Sequence, residues 1–159
     1  MDKHTNTYQE RNKINTYDMA DDCMQKHLVS MGLVENKTWM KIGTDPKTND
    51  MDMMWIALQI LLIPDYIFVH KDKLWLSEVK GTLKLKESDY LHLQEMYERA
   101  APYDNVNVGL TYFAHPNANP VWFTFEKIQM LWEDESTEVG YYPELDLNGN
   151  KKLYKVLPL

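Results

Sequence analysis

The stretch IPDYIFVHKDKLWLSEVKG, residues 63–81, places three charged side chains among residues that favour burial. Asp65, Glu78 and Lys80 are set among Val, Ile, Phe, Trp and Leu. Charges in such surroundings need an opposite charge, a metal ion or a solvated cleft. The fold and the function of the chain both depend on where these three side chains point.

Two strands joined by a lysine-rich turn are predicted at 65–70 and 74–80. Successive side chains of a strand point to opposite faces of a sheet, so Glu78 and Lys80 share one face. Apolar residues occur on both faces of the pair. We therefore expect this hairpin to lie inside a sheet that is covered on both sides.

The length of the turn decides which residue lies across from Asp65. A two-residue loop at 71–72 places Asp65 opposite Glu78, and a four-residue loop at 71–74 places it opposite Lys80. Both alternatives gather the three charges on one face at one end of the hairpin. A three-residue loop would turn Asp65 away, because a shift of one residue flips every side chain of a strand.

The remaining segments predict further helices and strands around this hairpin. Helical patterns occur at 15–31, capped by Asn15 or Thr16, and at 89–101, capped by Ser88 with Tyr90, Leu93, Tyr97 and Ala101 inward; strand patterns occur at 37–42, 105–113 and 120–128, the last running into a short helix. Residues 51–63 fit either a helix or a buried strand, and Asn148-Gly149 predicts a hairpin over 144–156. We expect one α/β sandwich domain over residues 1–159 with a mixed sheet and a C-terminal hairpin tail.

Composition excludes several classes of protein. A single cysteine, Cys23, excludes an internal disulfide framework and a four-cysteine metal site. The N-terminus has no apolar signal core, and the longest apolar run is shorter than the roughly 20 residues of a membrane span. These features predict a cytoplasmic protein with no membrane association.

The charge of the chain is distributed unevenly. Residues 71–86 hold five lysines against Asp72 and Glu78, a local charge of +3, which leaves −10 for the rest of a chain whose net charge is −7. A basic strip on an acidic body fits a protein that touches phosphate in one place. A solvated lysine-rich turn explains the same charges equally well.

Two carboxylates and a lysine at the edge of an apolar face have two explanations. The first is a partly buried ion pair or triad, which is seldom stabilising by itself. The second is a site for a hard cation, since two carboxylates and a backbone carbonyl suit Mg²⁺ and leave its other ligands to water and substrate phosphate. The lysine beside such a site could orient an attacking water and stabilise negative charge.

The sequence PDY, followed thirteen positions later by EVKG, resembles the PD-(D/E)XK nuclease superfamily. The resemblance implies a restriction-endonuclease-like three-layer sandwich with an αβββαβ core, and hydrolysis of phosphodiester bonds with Mg²⁺ or Mn²⁺. It implies Asp65, Glu78 and the Val79 carbonyl as metal ligands and Lys80 as the catalytic lysine. It covers most of the chain in the order of elements.

Two further residues follow from the resemblance. Many members have an acid on the first helix, for which Asp21 is our choice, and Asp22 is its neighbour; helix-dipole compensation is the alternative explanation for both. Some members have a Gln on the helix after the EXK strand, where Gln94 lies, and an ordinary flanking polar residue is the alternative.

The small size of the chain and its EVKG stretch also resemble phage and archaeal Holliday junction resolvases of DNA recombination. We therefore expect an endonuclease for junction or other structured DNA, acting inside a cell, with Lys84, Lys86, Lys71 and Lys73 as DNA-binding residues. A virus-encoded enzyme acting in its host cell and a homodimer both remain open. The alternative function is a non-catalytic DNA-binding or protein-interaction module that retains the nuclease fold.

Overall fold

The computed structural model describes residues 16–42 and 64–159. In these two ranges the chain forms three helices and eight strands. In chain order they are α1 (Thr16–Ser30), β1 (Trp39–Lys41), β2 (Tyr66–His70), β3 (Lys73–Lys80), β4 (Lys84–Lys86), α2 (Glu87–Ala100), β5 (Val106–Tyr112), β6 (Val121–Thr124), α3 (Phe125–Glu133), β7 (Val139–Leu145) and β8 (Lys151–Val156). None of the helices in the described ranges is long and apolar enough to cross a membrane.

A mixed five-stranded sheet organises the chain, with strand order β1-β2-β3-β5-β6. Strands β3 and β5 are parallel, and the other neighbouring pairs are antiparallel. The parallel pair is connected by a crossover that contains β4 and α2. The predicted α/β sandwich with a mixed sheet is confirmed at this level.

Each face of the central sheet is covered by helical residues. On one face the buried residues come from α1 and from alternate positions of the strands: Ala20, Cys23, Met24, Leu28, Trp39, Tyr66, Phe68, Val79 and Phe113. On the other face they come from α2, α3, strands β5 and β6, and the second sheet with the residue that follows it: Leu85, Tyr90, Leu93, Met96, Val108, Leu110, Phe123, Phe125, Ile128, Leu131 and Leu157. Strand β3 lies between these two cores, as its apolar residues on both faces predict.

The turn between β2 and β3 has two residues, so one of the two predicted registers is selected. Lys71 and Asp72 have φ values of 51° and 60°, which is the backbone of a type I′ turn. His70 pairs with Lys73, and the ladder continues to Tyr66 opposite Ser77. Extending this register by one residue places Asp65 opposite Glu78.

The second helix begins two residues earlier than predicted and lacks the predicted cap. It starts at Glu87 directly after β4, and its capping position is Lys86, whose side chain makes no capping hydrogen bond. The Ser88 cap was therefore wrong, because strand β4 runs straight into the helix. Met96 is buried on the inner face, whereas Ala101 lies beyond the helix and is exposed.

The C-terminal hairpin is confirmed, and it belongs to a second sheet. Strands β7 and β8 pair with β4 in the order β4-β8-β7. The loop spans five residues, 146–150, because the Asp146 carboxylate accepts the backbone N–H groups of Asn148 and Asn150, each at 2.8 Å, and Gly149 supplies a φ of +80°. The ambiguous segment 51–63 lies outside the described residues.

Candidate active site

The candidate site forms where strand β2 stops and β3 continues. Extending the hairpin register beyond Tyr66 places Pro64 opposite Val79, at a position where an antiparallel pair exchanges two hydrogen bonds. Proline has no N–H, so it cannot donate to the Val79 carbonyl. The Val79 N–H bonds instead to the Asp65 side chain, with 2.9 Å from nitrogen to Oδ2. The ladder is thus replaced by side-chain contacts at this end.

The carboxyls of Asp65 and Glu78 meet at this point. The two residues occupy a non-hydrogen-bonded position of the ladder, where opposite Cα atoms lie about 4.5 Å apart and side chains approach closely. Burial raises the pKa of both groups, and each also responds to the charge or hydrogen bonding of the other. The pKa of Glu78 lies well above its ordinary value, first because of burial and then because of the charge of Asp65. Two buried carboxyls side by side disfavour each other's negative charge, and a positive charge between them would relieve that repulsion.

Lys80 lies beside this pair. Its Nζ atom is 4.0 Å from Glu78 Oε2 and 3.0 Å from Asp89 Oδ2. Burial alone would lower the pKa of Lys80, but the charges of Asp89, Glu78 and Asp65 outweigh burial and raise it. Lys80 is consequently an ammonium held against the acids, and its side chain is 19% exposed.

Asp89 is the member of this cluster that the sequence pattern did not predict. It lies in the first turn of α2, where an acid is ordinarily explained by the helix dipole. Because β4 and three linking residues bring α2 back toward the end of β3, its carboxylate reaches Lys80. The available signal was an acid in the first turn of the helix after the EXK strand. From sequence alone an acid at this position cannot be distinguished from one that only balances the helix dipole.

The structure places Asp21 on α1, on the opposite face of the sheet from Glu78. Its carboxylate accepts hydrogen bonds from Tyr66 and from Lys41, the latter at 2.6 Å. The Asp21 charge also contributes to the raised pKa of Asp65, so the two acids lie near the same end of the sheet. Its neighbour Asp22 is exposed. A role for Asp21 in the site stays a prediction.

Gln94 lies further along α2 than Asp89. Its side chain is half-buried next to Leu93, and among the described residues no hydrogen bond joins it to Asp65 or Glu78. The structure therefore leaves Gln94 outside the contacts that hold the carboxyl pair. Its role also stays a prediction.

The predicted basic strip is divided by the length of β3. Lys71 and Lys73 lie at the turn where the strand begins, and Lys84 and Lys86 follow its other end. An eight-residue strand spans about 23 Å between its first and last residues. The five lysines therefore do not form one continuous surface, and only the second pair adjoins the carboxyl cluster in the chain. The phosphate contacts of either pair stay predictions.

The tryptophans have mostly structural contacts. Trp75 and Trp122 pack edge to face with ring centroids 5.3 Å apart, and together with His27 and His70 they line a cavity of about 480 Å³. That cavity lies against α1, on the other face of the sheet from Glu78. Trp132, on α3, stacks on Tyr90.

Among residues 16–42 and 64–159, no group of three or more His, Cys, Asp or Glu side chains is placed to hold a metal ion. A cation at the carboxyl pair would therefore have two side-chain ligands and depend on backbone, water and substrate for the others. Comparison of the chain with protein-family models, curated proteins and solved structures finds no match. The function must be inferred from the geometry of the site itself.

Proposed function

We propose that this chain is a Mg²⁺- or Mn²⁺-dependent DNA endonuclease of the PD-(D/E)XK type, which hydrolyses phosphodiester bonds in junction or otherwise structured DNA. The observation that carries the proposal is the pairing of the Asp65 and Glu78 carboxyls beside the Lys80 ammonium. The order α1, β1, β2, β3, α2, β5 also supports a restriction-endonuclease-like core.

The residues present fit a small divalent cation. A cation between Asp65 and Glu78 would balance the charges of both carboxylates, and Pro64 leaves the Val79 carbonyl without a ladder donor. Mg²⁺ takes oxygen ligands, commonly one or two carboxylates, and fills its coordination with water and phosphate. Bound there, the cation would engage the scissile phosphate and lower the pKa of an attacking water.

Lys80 supplies positive charge to the reaction. Because its pKa is raised, it stays protonated and does not serve as the base that accepts a proton from water. An ammonium fixed in a partly buried site stabilises the charge that develops on the phosphate and can orient the attacking water. Asp89 is a positioning residue in this scheme, since it holds Lys80 at 3.0 Å.

Lys84 and Lys86 bind the flanking DNA in this proposal. They lie on β4, which begins four residues after Lys80, so phosphates next to the cleaved bond come within reach of both side chains. Contacts of this kind depend strongly on salt, because bound lysines release counterions from the DNA.

The rival function is a non-catalytic DNA-binding or protein-interaction module with the same fold. One observation favours it: Lys80 is closer to Asp89 than to Glu78, so an ion pair accounts for the lysine without any catalysis. In that case the acidic remainder of the chain would be the surface for a partner.

Cleavage of supercoiled plasmid separates the two functions. We expect nicked or linear product with Mg²⁺ or Mn²⁺, none with EDTA, and none from Asp65→Asn. Glu98→Gln is the matched control, since Glu98 is an exposed acid on α2 away from the site. A panel of duplex, flap, single-stranded and four-way-junction DNAs then defines the substrate. A parent that cuts none of them with either metal supports the module instead.

A further inference from the structure

The outward face of the second sheet combines lysines with tyrosine rings. Tyr154 on β8 pairs with Lys86 on one side and with Gly140 on the other, so these positions share a face. The alternate positions point the other way, where Leu85 is buried in the core. The outward positions that carry lysine or tyrosine are Lys84, Lys86, Tyr142, Lys152 and Tyr154, which we call the tyrosine–lysine face.

The aromatic rings of this face pack against each other and over a glycine. Tyr142 and Tyr154 pack with ring centroids 4.8 Å apart at an interplanar angle of 61°. The Tyr154 ring lies directly over Gly140, where an added Cβ would come within 2.3 Å of the ring. Only glycine leaves room for that ring position. The two rings thus pack together across β7 and β8.

The lysines lie against these rings. The Nζ atom of Lys84 is 5.0 Å from the centroid of Tyr154, and that of Lys86 is 5.5 Å from the centroid of Tyr142. Lys152 is exposed on the same face. Each ring therefore has an ammonium over it, so a base that stacks on the ring takes the place of the ammonium and brings its own phosphate within the reach of that lysine.

The tyrosine–lysine face is continuous with the carboxyl cluster. Strand β4 follows Lys80 after three linking residues, and Tyr142 is close enough to Lys80 and Asp89 for both charges to act on its hydroxyl. A chain of nucleotides lying on this face would therefore extend to the site where the bond is cut.

We propose that the tyrosine–lysine face binds an unpaired strand of DNA next to the scissile phosphate, with bases stacked on Tyr142 and Tyr154 and phosphates at Lys84, Lys86 and Lys152. This inference rests on the proposed nuclease function and specifies its substrate. Base stacking on aromatic rings is independent of sequence, because every base has a flat face. Bases inside a duplex are already stacked on each other, so a duplex contacts only the lysines. The face therefore favours single-stranded DNA over duplex.

The test is equilibrium binding of fluorescein-labelled oligonucleotides in EDTA, which prevents cleavage. We expect Tyr142→Leu and Tyr154→Leu each to weaken binding of single-stranded DNA about tenfold and to change duplex binding little. Tyr142→Phe should bind like the parent, since stacking needs the ring and not the hydroxyl. Tyr103→Leu, at an exposed tyrosine beyond the end of α2, is the control. Thermal unfolding of each variant checks that it is folded.

Lys152→Ala adds a second measurement. It should weaken single-stranded and duplex binding alike and reduce the salt slope by roughly one unit, whereas the tyrosine variants leave the slope unchanged. The proposal is overturned if the leucine variants bind single-stranded DNA as the parent does, or lose duplex binding equally. If the leucine variants selectively lose single-stranded binding but the parent never cuts DNA, the proposal for this face stands and only the proposed nuclease function is rejected.

Discussion

Replacing Asp65 by Asn or by Ala separates the structural role of this side chain from its chemical role. Asp65 Oδ2 accepts the Val79 N–H at 2.9 Å, and the carbonyl oxygen of Asn can accept the same bond. Ala removes the acceptor, and an unsatisfied buried N–H costs about 1–3 kcal/mol. For a chain of this length that loss lowers Tm by roughly 2–12 °C. We expect Asp65→Asn to unfold near the parental temperature and Asp65→Ala to unfold below it.

The cleavage rates of the Asp65→Asn and Asp65→Ala variants should not vary with their stability. A neutral amide cannot replace a carboxylate that balances a cation, so we expect Asp65→Asn to lose at least about 10²-fold in the rate of bond breaking, as when one charge-stabilising group is removed. Circular-dichroism melting and single-turnover cleavage with Mg²⁺ measure the two effects. Parental cutting by Asp65→Asn would show that Asp65 is not a ligand. Equal destabilisation by Asn and Ala would show that the bond to Val79 does not tie Asp65 to the fold.

The lysines and the acids give two further predictions. Lys80→Ala should leave DNA binding nearly unchanged and remove cleavage. Replacing Lys84 and Lys86 together by Ala should reduce the salt slope of binding by roughly one unit per lost phosphate contact. That double variant should still cleave DNA at saturating protein. Salt titration with single-turnover cleavage measures both, and normal cutting by Lys80→Ala would contradict the division. Burial raises the pKa of Asp65 and of Glu78 in the folded chain. The unfolded chain releases the corresponding protons above about pH 4, so the folded chain binds more protons above that pH. The free energy of unfolding therefore falls as the pH rises from there through the folded pKa. Glu78→Gln should reduce that fall and be more stable than the parent at pH 8. Chemical denaturation at pH 5 and pH 8 measures the free energy of unfolding of both proteins. An equal change between the two pH values in parent and variant would show that Glu78 is not responsible for the fall.

The sequence predicts the β2–β3 hairpin well because its determinants are local. Alternation of apolar residues sets the two faces, so a two-residue and a four-residue loop both bring Asp65, Glu78 and Lys80 to one face at one end of the hairpin. The turn could not be chosen from sequence alone. Lys71 and Asp72 are not the usual Asn-Gly pair, and only the folded chain shows their positive φ values.

The parts of the site that sequence did not predict depend on distant segments. Asp89 reaches Lys80 only because β4 and α2 fold back beside the end of β3. Tyr142 and Tyr154 join the same surface only because the C-terminal hairpin pairs with β4. The predicted basic strip is not one continuous surface for the opposite reason, since lysines close in sequence are separated by the length of an extended strand. Spacing alone carries neither kind of information.

The adjacent residues Pro64 and Asp65 act as one structural device at the end of β2. In an uninterrupted ladder the residue opposite Val79 would donate to its carbonyl and accept from its N–H. Proline removes the donor, and the Asp65 side chain takes over the N–H, so the carbonyl is released while the strand end stays anchored. The same step turns the Asp65 carboxyl toward Glu78. Neither residue alone does both, because a proline without the acid would leave Val79 unanchored, and an acid without the proline would leave the carbonyl paired. This coupling gives a physical reason for a proline to precede the acid of the carboxyl pair.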